Sequence, residues 1–557
     1  MRRLAQLALI LSLGLSSTLL AASKPNIIII MTDDMGYSDL GCYGSEIDTP
    51  QLDQLAANGL RYTQFYNTSR CCPTRASLLT GLYAHQAGIG EMTNDGDKPG
   101  YRGDLSRNAV TIAEALKPAG YRTYMSGKWH VAQQLDPDGD KSNWPLQRGF
   151  DRFYGTIIGA GSHFDPWTLT RGNQAITPEN DPEYQPETFY YTHAISAQAA
   201  RFVKEHESDE PFFMYVSYTA PHWPMQAPEQ DIEKYRGRYD VGYEAIREAR
   251  YRKMKELGVI DKDWPISPAP EKWSDIPKEK RAWEARCMEV YAAMVDSMDQ
   301  GIGQIVEALK DKGALENTLI LYLQDNGGCA EAYGRQPDEK AHQTRAPMAK
   351  DELQTKMFPT HTRKGEPLAN GPATMPGPAT SYIAYGRNWA NVSNTPFREY
   401  KCRNHEGGIA TPLIAYWPKG IPAKNELRHR PGHLIDLMAT CIDVSGAEYP
   451  ETVGSYRIQP YEGLSLAPSF AADEKPDRAL LFEHYGSAAI RLKEWKLVRL
   501  GYDKKSKQAW ELYNLERDRS ELNNLAEQLP EKAQELATLW HWHAWRTRIF
   551  PKPGDGN

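Results

Sequence analysis

Asn26-Ile27-Ile28-Ile29-Ile30-Met31-Thr32-Asp33-Asp34 sets five consecutive apolar residues, four of them isoleucine, directly before two carboxylates. An unbroken β-branched run of this length predicts a strand buried on both faces, as in a parallel sheet covered by helices. In open α/β sheets ligands gather at the carboxyl ends of the strands. Asp33 and Asp34 are therefore placed where a site is expected, and two adjacent carboxylates repel unless a cation holds them. Taken alone, the pair also fits a solvated turn.

The same pattern recurs along the chain. A strand ending near Ser126 is followed by Gly127-Lys128-Trp129-His130, and Phe212 to Tyr218 runs into Pro221-His222-Trp223-Pro224. Thr318 to Leu323 precedes Asp325-Asn326-Gly327, and Lys401 to Gly408 precedes an apolar strand over Thr411 to Trp417. Helical periodicity covers Thr111 to Leu116, His193 to His206, Trp283 to Leu309 and His433 to Val444. Strands alternating with helices predict an α/β fold with a central sheet flanked by helices. Each polar cluster alone is unremarkable surface chemistry. Four of them at strand ends describe one site.

Arg70-Cys71-Cys72-Pro73-Thr74-Arg75-Ala76-Ser77-Leu78-Leu79-Thr80-Gly81 reads as a helix with Pro73 in its first turn. Cys71 and Cys72 then sit at the helix N-terminus, where free N–H groups favour an anion and make a thiol acidic. Arg75 adds fixed positive charge. Asp33, Asp34, Asp325 and Asn326 are hard oxygen ligands suited to Ca2+ or Mg2+ and poor for zinc. Lys128, His130, His222 and Lys401 supply cations and proton carriers for an anionic substrate.

The 557-residue chain is long enough for a large core and two domains, and its net charge of −7 gives no reason to expect nucleic acid as a partner. Residues 1–23 read as a secretory signal: Arg2 and Arg3, an apolar run from Leu4 to Leu20, then Ala21-Ala22-Ser23. The alternative is a single N-terminal anchor, since the run is near the ~18-residue lower limit for spanning a membrane. No later stretch is apolar for as long, so no membrane span is expected in the mature chain. An exported, periplasmic or extracellular protein is the expectation. Its seven cysteines leave one over if the rest form disulfides, and Cys71 used otherwise would remove the odd count. Segments 163–190, 225–280 and 331–394 read as loops that shape a pocket. A catalytic domain over 24–455 and a small α+β subdomain over 456–557 complete the division.

Cys71-x-Pro73-x-Arg75 followed by Leu79-Thr80-Gly81 resembles the signature of formylglycine-dependent type I sulfatases of the alkaline-phosphatase superfamily. The further motifs, in order, are Thr32-Asp33-Asp34, Gly127-Lys128-Trp129-His130, Pro221-His222, Asp325-Asn326-Gly327 and Lys401-x4-Glu406-Gly407-Gly408. Near the end, Glu511-Leu512-Tyr513-Asn514-Leu515 is similar to the family's C-terminal subdomain.

The resemblance implies an alkaline-phosphatase-like fold, with a central mixed, largely parallel sheet, and a sulfuric ester hydrolase, arylsulfatase-like, in which Cys71 becomes Cα-formylglycine through a formylglycine-generating enzyme. It implies Ca2+ (Mg2+ as the alternative) held by Asp33, Asp34, Asp325, Asn326 and the modified Cys71. The hydrated aldehyde attacks sulfur, with Lys128 and Lys401 balancing charge, His222 or Lys401 protonating the leaving alcohol, and His130 taking the second hydroxyl's proton. Arg75 belongs to the same catalytic set. His163, Arg403 and His405 are candidate substrate contacts, for a sulfated carbohydrate or an aryl sulfate. Cys72, Val131-Ala132 and Ala410 depart from the commoner family residues. Two other readings fit: a phosphonate or phosphate monoester hydrolase of the same superfamily, and a glycan-binding protein with an unmodified cysteine.

Overall fold

The computed structural model describes residues 24–207, 209–338, 342–501 and 509–554. The expected signal over 1–23 lies outside them. Among the described residues no helix is long and apolar enough to cross a membrane.

The strands of the main sheet are β1 (Asn26–Thr32), β2 (Leu60–Tyr66), β3 (Arg122–Gly127), β4 (Arg152–Thr156), β5 (Leu169–Arg171) and β6 (Gln174–Ala175). They continue with β7 (Phe212–Ser217), β8 (Thr318–Gln324), β9 (Ala410–Tyr416), β10 (Glu426–Arg428) and β11 (Gly432–His433). Their spatial order is β10-β2-β9-β8-β1-β7-β3-β4-β5-β6, with β11 also on β2. β1 is central and parallel to β7 and β8, while β9 runs antiparallel to β8 and β2. The sheet is mixed and largely parallel.

The isoleucine run is explained by burial on both sides. Ile27, Ile29 and Met31 pack on one face with Leu319, Leu321, Phe213 and Leu79; Ile28 and Ile30 pack on the other with Met214, Val216 and Met294. That second face is covered by the helices Tyr191–Lys204 and Lys278–Asp311. The latter extends the expected Trp283–Leu309 helix at both ends.

Three expectations change. The segment 225–280 is no simple loop: it contains the helices Glu229–Glu233 and Tyr243–Glu256, and Tyr235, Tyr239, Tyr243, Met254 and Trp264 are buried in the core. Its aromatic residues are packing groups, and charge alone hid that. The segment 331–394 ends in a helix, Gly386–Ser393, on which Trp389 is fully buried. The seven cysteines are all unpaired, so the odd count has no bearing on Cys71.

A hairpin, β12 (Thr452–Val453) and β13 (Tyr456–Arg457), leads to a second, antiparallel sheet of β14 (Ala479–His484), β15 (Ser487–Leu492), β16 (Trp495–Arg499) and β17 (Glu511–Asn514). The helix Pro530–Arg546 covers it through Leu536, Trp540 and Ala544. This subdomain is bolted to the main sheet by buried charge. Glu406 accepts from Lys496 (2.9 Å), Arg519 (2.7 Å) and the Tyr66 hydroxyl (3.0 Å), while Lys496 also pairs with Glu521 at 2.9 Å. None of the four charged side chains has solvent access. Burial opposes ionisation of Glu406, but Lys496 and Arg519 outweigh it and hold its carboxyl at about 2.

Removing one member of such a network leaves uncompensated buried charge. Lys496→Met is expected to cost about 3–5 kcal/mol in a urea titration of the purified chain. A second expectation concerns acid. Burial, aided by nearby arginines, depresses His433 and His484 to about 3 from 6.5. The unfolded chain therefore binds protons at these positions before the folded one does. Stability is full above pH 6.5 and declines as pH falls towards 3, by about 1.4 kcal/mol per pH unit for each residue. Urea midpoints measured at pH 7 and pH 5 should show the loss, and His433→Gln should flatten it.

Candidate active site

Cys71–Thr80 forms the expected helix, capped at its C-terminus by Gly81 in the left-handed conformation. Every residue of it is buried, with Cys71 1% exposed. The turns after β1, β3, β7 and β8 converge on its start. Asp33 and Asp34 follow β1, Lys128 and His130 follow β3, His222 follows β7, and Asp325 and Asn326 follow β8.

These groups form an alternating lattice of charge. Lys128 Nζ pairs with Asp33, Lys401 Nζ with Asp34 Oδ1 at 2.6 Å, and Arg75 with Asp325 Oδ2 at 2.8 Å and Asp33 Oδ2 at 3.7 Å. Asn326 Nδ2 donates to Asp34 Oδ1 at 2.7 Å, and His222 Nε2 lies 3.4 Å from Asp34 Oδ2. Burial works against the Asp33 carboxylate, yet Lys128, His222 and Arg75 hold it at about 2. Burial and the neighbouring Asp33 push Asp325 well up. Lys401 stays charged, because Asp34, Cys329 and Glu331 overcome the cost of burying it.

Three buried acceptors of this lattice have no hydrogen-bond donor: Asp33 Oδ1, Asp34 Oδ2 and Asn326 Oδ1. Stripped of water and left unpaired, such oxygens cost several kcal/mol. A divalent cation preferring oxygen would satisfy them together, so the residues fit the metal that the sequence implies.

The thiols and His130 form a second cluster. Sγ of Cys71, Sγ of Cys72 and a ring nitrogen of His130 lie within 4.8 Å of one another, and His130 Nε2 is 3.2 Å from Cys72 Sγ. A hydrogen bond from Cys72 is the largest influence on Cys71 and, with Lys128 and His130, draws its thiol well down against burial. Burial depresses His130 to about 4, leaving a neutral imidazole at neutral pH. Asp34 and His130 both adopt positive φ, 62° and 54°. Such backbone costs about 1–3 kcal/mol per residue, and it concentrates at functional sites.

Several side chains differ from expectation in role. Both terminal nitrogens of Arg75 are engaged, with Asp325, Asp33, Ser217 and the Lys128 carbonyl. It positions the lattice rather than reaching a substrate. His163 is no substrate contact, because its ring is fully buried and Nε2 is 3.0 Å from the carbonyl of His222, bracing that turn. His405 is likewise structural, fully buried with Nε2 3.2 Å from Glu511 and 3.0 Å from Arg398. Arg403 is half-buried beside Lys401. Sequence reasoning missed Ser217, which grips Arg75, and Thr74, whose hydroxyl donates to the Asp325 carbonyl at 2.6 Å. Thr74 stood inside the quoted cysteine motif and could have been found there. Glu331, which joins Arg70 at 2.9 Å to the Trp223 indole at 2.8 Å, carried no sequence signal.

Comparison with known proteins decides the family. The sulfatase family model matches residues 25–447. The chain belongs to the sulfatase family. A model for the C-terminal part of N-sulphoglucosamine sulphohydrolase matches residues 400–542. An uncharacterized sulfatase of Schizosaccharomyces pombe is 33% identical over 562 residues, covering 96% of each chain. The arylsulfatase of Klebsiella aerogenes is 32% identical over 82% of this chain and 94% of its own. Among solved structures, Ps i-CgsB in complex with k-i-k-neocarrahexaose shares the fold, with a TM-score of 0.63 and 24% identity over 94% of both chains. This sulfatase is thus a sulfuric ester hydrolase of the alkaline phosphatase superfamily.

If the orphaned oxygens form the cation site, Ca2+ at a hundredfold excess over its Kd should stabilise the sulfatase by about 2.7 kcal/mol. Thermal melts with Ca2+ and with chelator would show the shift, and Asp34→Ala should abolish it.

Proposed function

We propose that this protein hydrolyses sulfate esters of carbohydrates or aryl alcohols, with residue 71 as Cα-formylglycine and Ca2+ (Mg2+ as the alternative) as metal. The observation that carries the reading is the position of Cys71. It lies at a buried helix N-terminus, against His130 and within the field of Lys128. Asp33, Asp34, Asp325, Asn326 and residue 71 would hold the cation, which as a Lewis acid would draw charge from the sulfuryl oxygens. A formylglycine hydrate would supply an oxygen nucleophile; deprotonation of its second hydroxyl would expel sulfate and return the aldehyde, and one water adding to that aldehyde would restore the hydrate.

The chain's own residues account for the rest. Lys128 and Lys401 present fixed ammonium groups to an anionic substrate, preorganised by Asp33 and Asp34. His222 Nδ1 donates to the Trp223 carbonyl at 2.7 Å, so a second proton taken up by the ring would sit on Nε2, from which it would pass to the leaving oxygen. His130, kept neutral by burial, is the base on the other side of residue 71. Cys72 Sγ lies 3.2 Å from His130 Nε2, beside the same base.

Export is part of the same proposal, supported by the order of charged, apolar and small residues in 1–23. So are maturation by a formylglycine-generating enzyme and the division of the chain after residue 455.

Two measurements test this. In protein made with a formylglycine-generating system, the Cys71 peptide should be ~18 Da lighter than its unmodified form, as expected when the thiol nucleophile becomes an aldehyde. The matured protein should turn over 4-nitrophenyl sulfate in preference to 4-nitrophenyl phosphate, and Cys71→Ala should lose at least a thousandfold in kcat. Dominance of phosphate would overturn the sulfate assignment. An unmodified, active Cys71 would overturn the nucleophile.

A further inference from the structure

Beside His222 the structure carries a band of aromatic rings that the chemistry above does not use. The Trp223 ring lies 4.4 Å from that of His222, and Tyr333 and Phe358 pack on Trp223 at 4.6 and 5.4 Å, the latter nearly parallel at 19°. Tyr382 closes the group behind Trp223 and Phe358. Trp223 and Tyr382 are buried, but Tyr333 is 45% and Phe358 46% exposed. Two large rings fixed by neighbours and left open to water form a preset apolar face, since little side-chain freedom remains to be lost on binding.

That face lines a cavity of about 280 Å3 whose other walls include Asp338, Thr360 and Asn370. The volume is at the bottom of the range for small-molecule sites, enough for one ring and too little for a folded chain of them. Its chemistry is mixed. Flat aromatic faces stand beside a carboxylate, a hydroxyl and an amide, the complement of a pyranose with axial C–H bonds on one face and hydroxyls on its rim. An aryl group would use the rings and leave the polar rim unmatched.

The position favours the alcohol half of the substrate. His222 Nε2 serves the leaving oxygen, so the carbon skeleton attached to that oxygen must depart on the His222 side, where the aromatic band begins. The band is braced to the site itself: Trp223 Nε1 donates to Glu331, and Glu331 pairs with Arg70, the residue before Cys71. Burial opposes the Glu331 carboxylate, but Lys401 and Arg70 hold it ionised, well below the usual range.

We propose that Tyr333 and Phe358, backed by Trp223, form the platform that receives the sugar ring of a sulfated pyranose. Asn370, whose amide nitrogen is held by Asp338 at 2.7 Å and whose Oδ1 has no donor, selects a hydroxyl of that ring, with Thr360 on the same wall. These are specificity residues for the alcohol, separate from the groups that act on sulfate.

The inference rests on the sulfatase site proposed above, and the test separates the two. Matured wild type, Tyr333→Ala and Phe358→Ala are assayed on methyl glucopyranosides and galactopyranosides monosulfated at each ring position. The same proteins are assayed on 4-nitrophenyl sulfate and on ethyl sulfate, which has no ring. Both rings are nearly half exposed, so the variants should fold, and thermal melts check this. Each variant is expected to raise KM for the best pyranoside at least tenfold, with kcat within twofold and ethyl sulfate kinetics unchanged. A pyranoside KM within twofold of wild type overturns the platform and leaves the sulfate chemistry standing. A preference of wild type for 4-nitrophenyl sulfate over every pyranoside by more than a hundredfold in kcat/KM overturns the pyranose assignment. Wild type that carries formylglycine and cleaves none of these esters overturns both.

Discussion

Arg75 is the cation on which the site depends. Its guanidinium, without solvent access, lies between the carboxylates of Asp33 and Asp325, which come from the ends of adjacent strands β1 and β8. Without it, two buried acids would face each other across neighbouring strands, and Asp325, already pushed up by burial and by Asp33, would lose its guanidinium partner. With it, Lys128 adds a second cation to Asp33, and Lys401 holds the further carboxylate of Asp34. The cost of burying this many charges is offset only because they alternate. Three oxygens of the pattern, Asp33 Oδ1, Asp34 Oδ2 and Asn326 Oδ1, accept no hydrogen bond, a donor set that would suit a divalent cation.

The lattice needs a rigid base, and the central sheet provides it. β1 is buried on both sides, so its end cannot move without disturbing two packed layers. The turns after β1, β3, β7 and β8 then deliver short polar segments to one edge. Gly127 and Gly327 are needed there because backbone crowds them. A Cβ on Gly127 would stand 1.9 Å from the Ser217 carbonyl oxygen, and one on Gly327 1.8 Å from that of Gly407. The second contact joins the Asp325–Gly327 turn to the Glu406–Gly408 segment, and so to the C-terminal sheet.

How much of this the sequence revealed depended on how local each signal was. The isoleucine run, the long helix and the Cys71 motif are contiguous and carry their own periodicity or spacing, and the structure has them in place. β2 was not legible, because Arg61, Thr63 and Gln64 interrupt its apolar residues and Gly59 marks a helix end. The helices within 225–280 were hidden by charge: Tyr243–Glu256 alternates Glu, Arg and Lys around a narrow stripe of buried residues. The roles of His163 and His405 were misread for a different reason. A histidine's partners, here the His222 carbonyl and Glu511, come from distant sequence, and residue type alone cannot distinguish a brace from a ligand.

The burial of Cys71 also constrains the order of events during synthesis. Thr74, in the first turn of its helix, hydrogen-bonds to Asp325 across 251 residues of sequence. At ~5–20 residues per second, ribosomal synthesis of that separation takes roughly ten to fifty seconds. During that interval the strand that completes the wall around Cys71 does not yet exist. Any enzyme that modifies the thiol would have to reach it then, or in a chain kept unfolded afterwards, because in the folded protein Cys71 is 1% exposed. The site's chemistry and the timing of its manufacture are thus set by one topological fact: β8, the immediate neighbour of β1 in space, is nearly three hundred residues later in the chain.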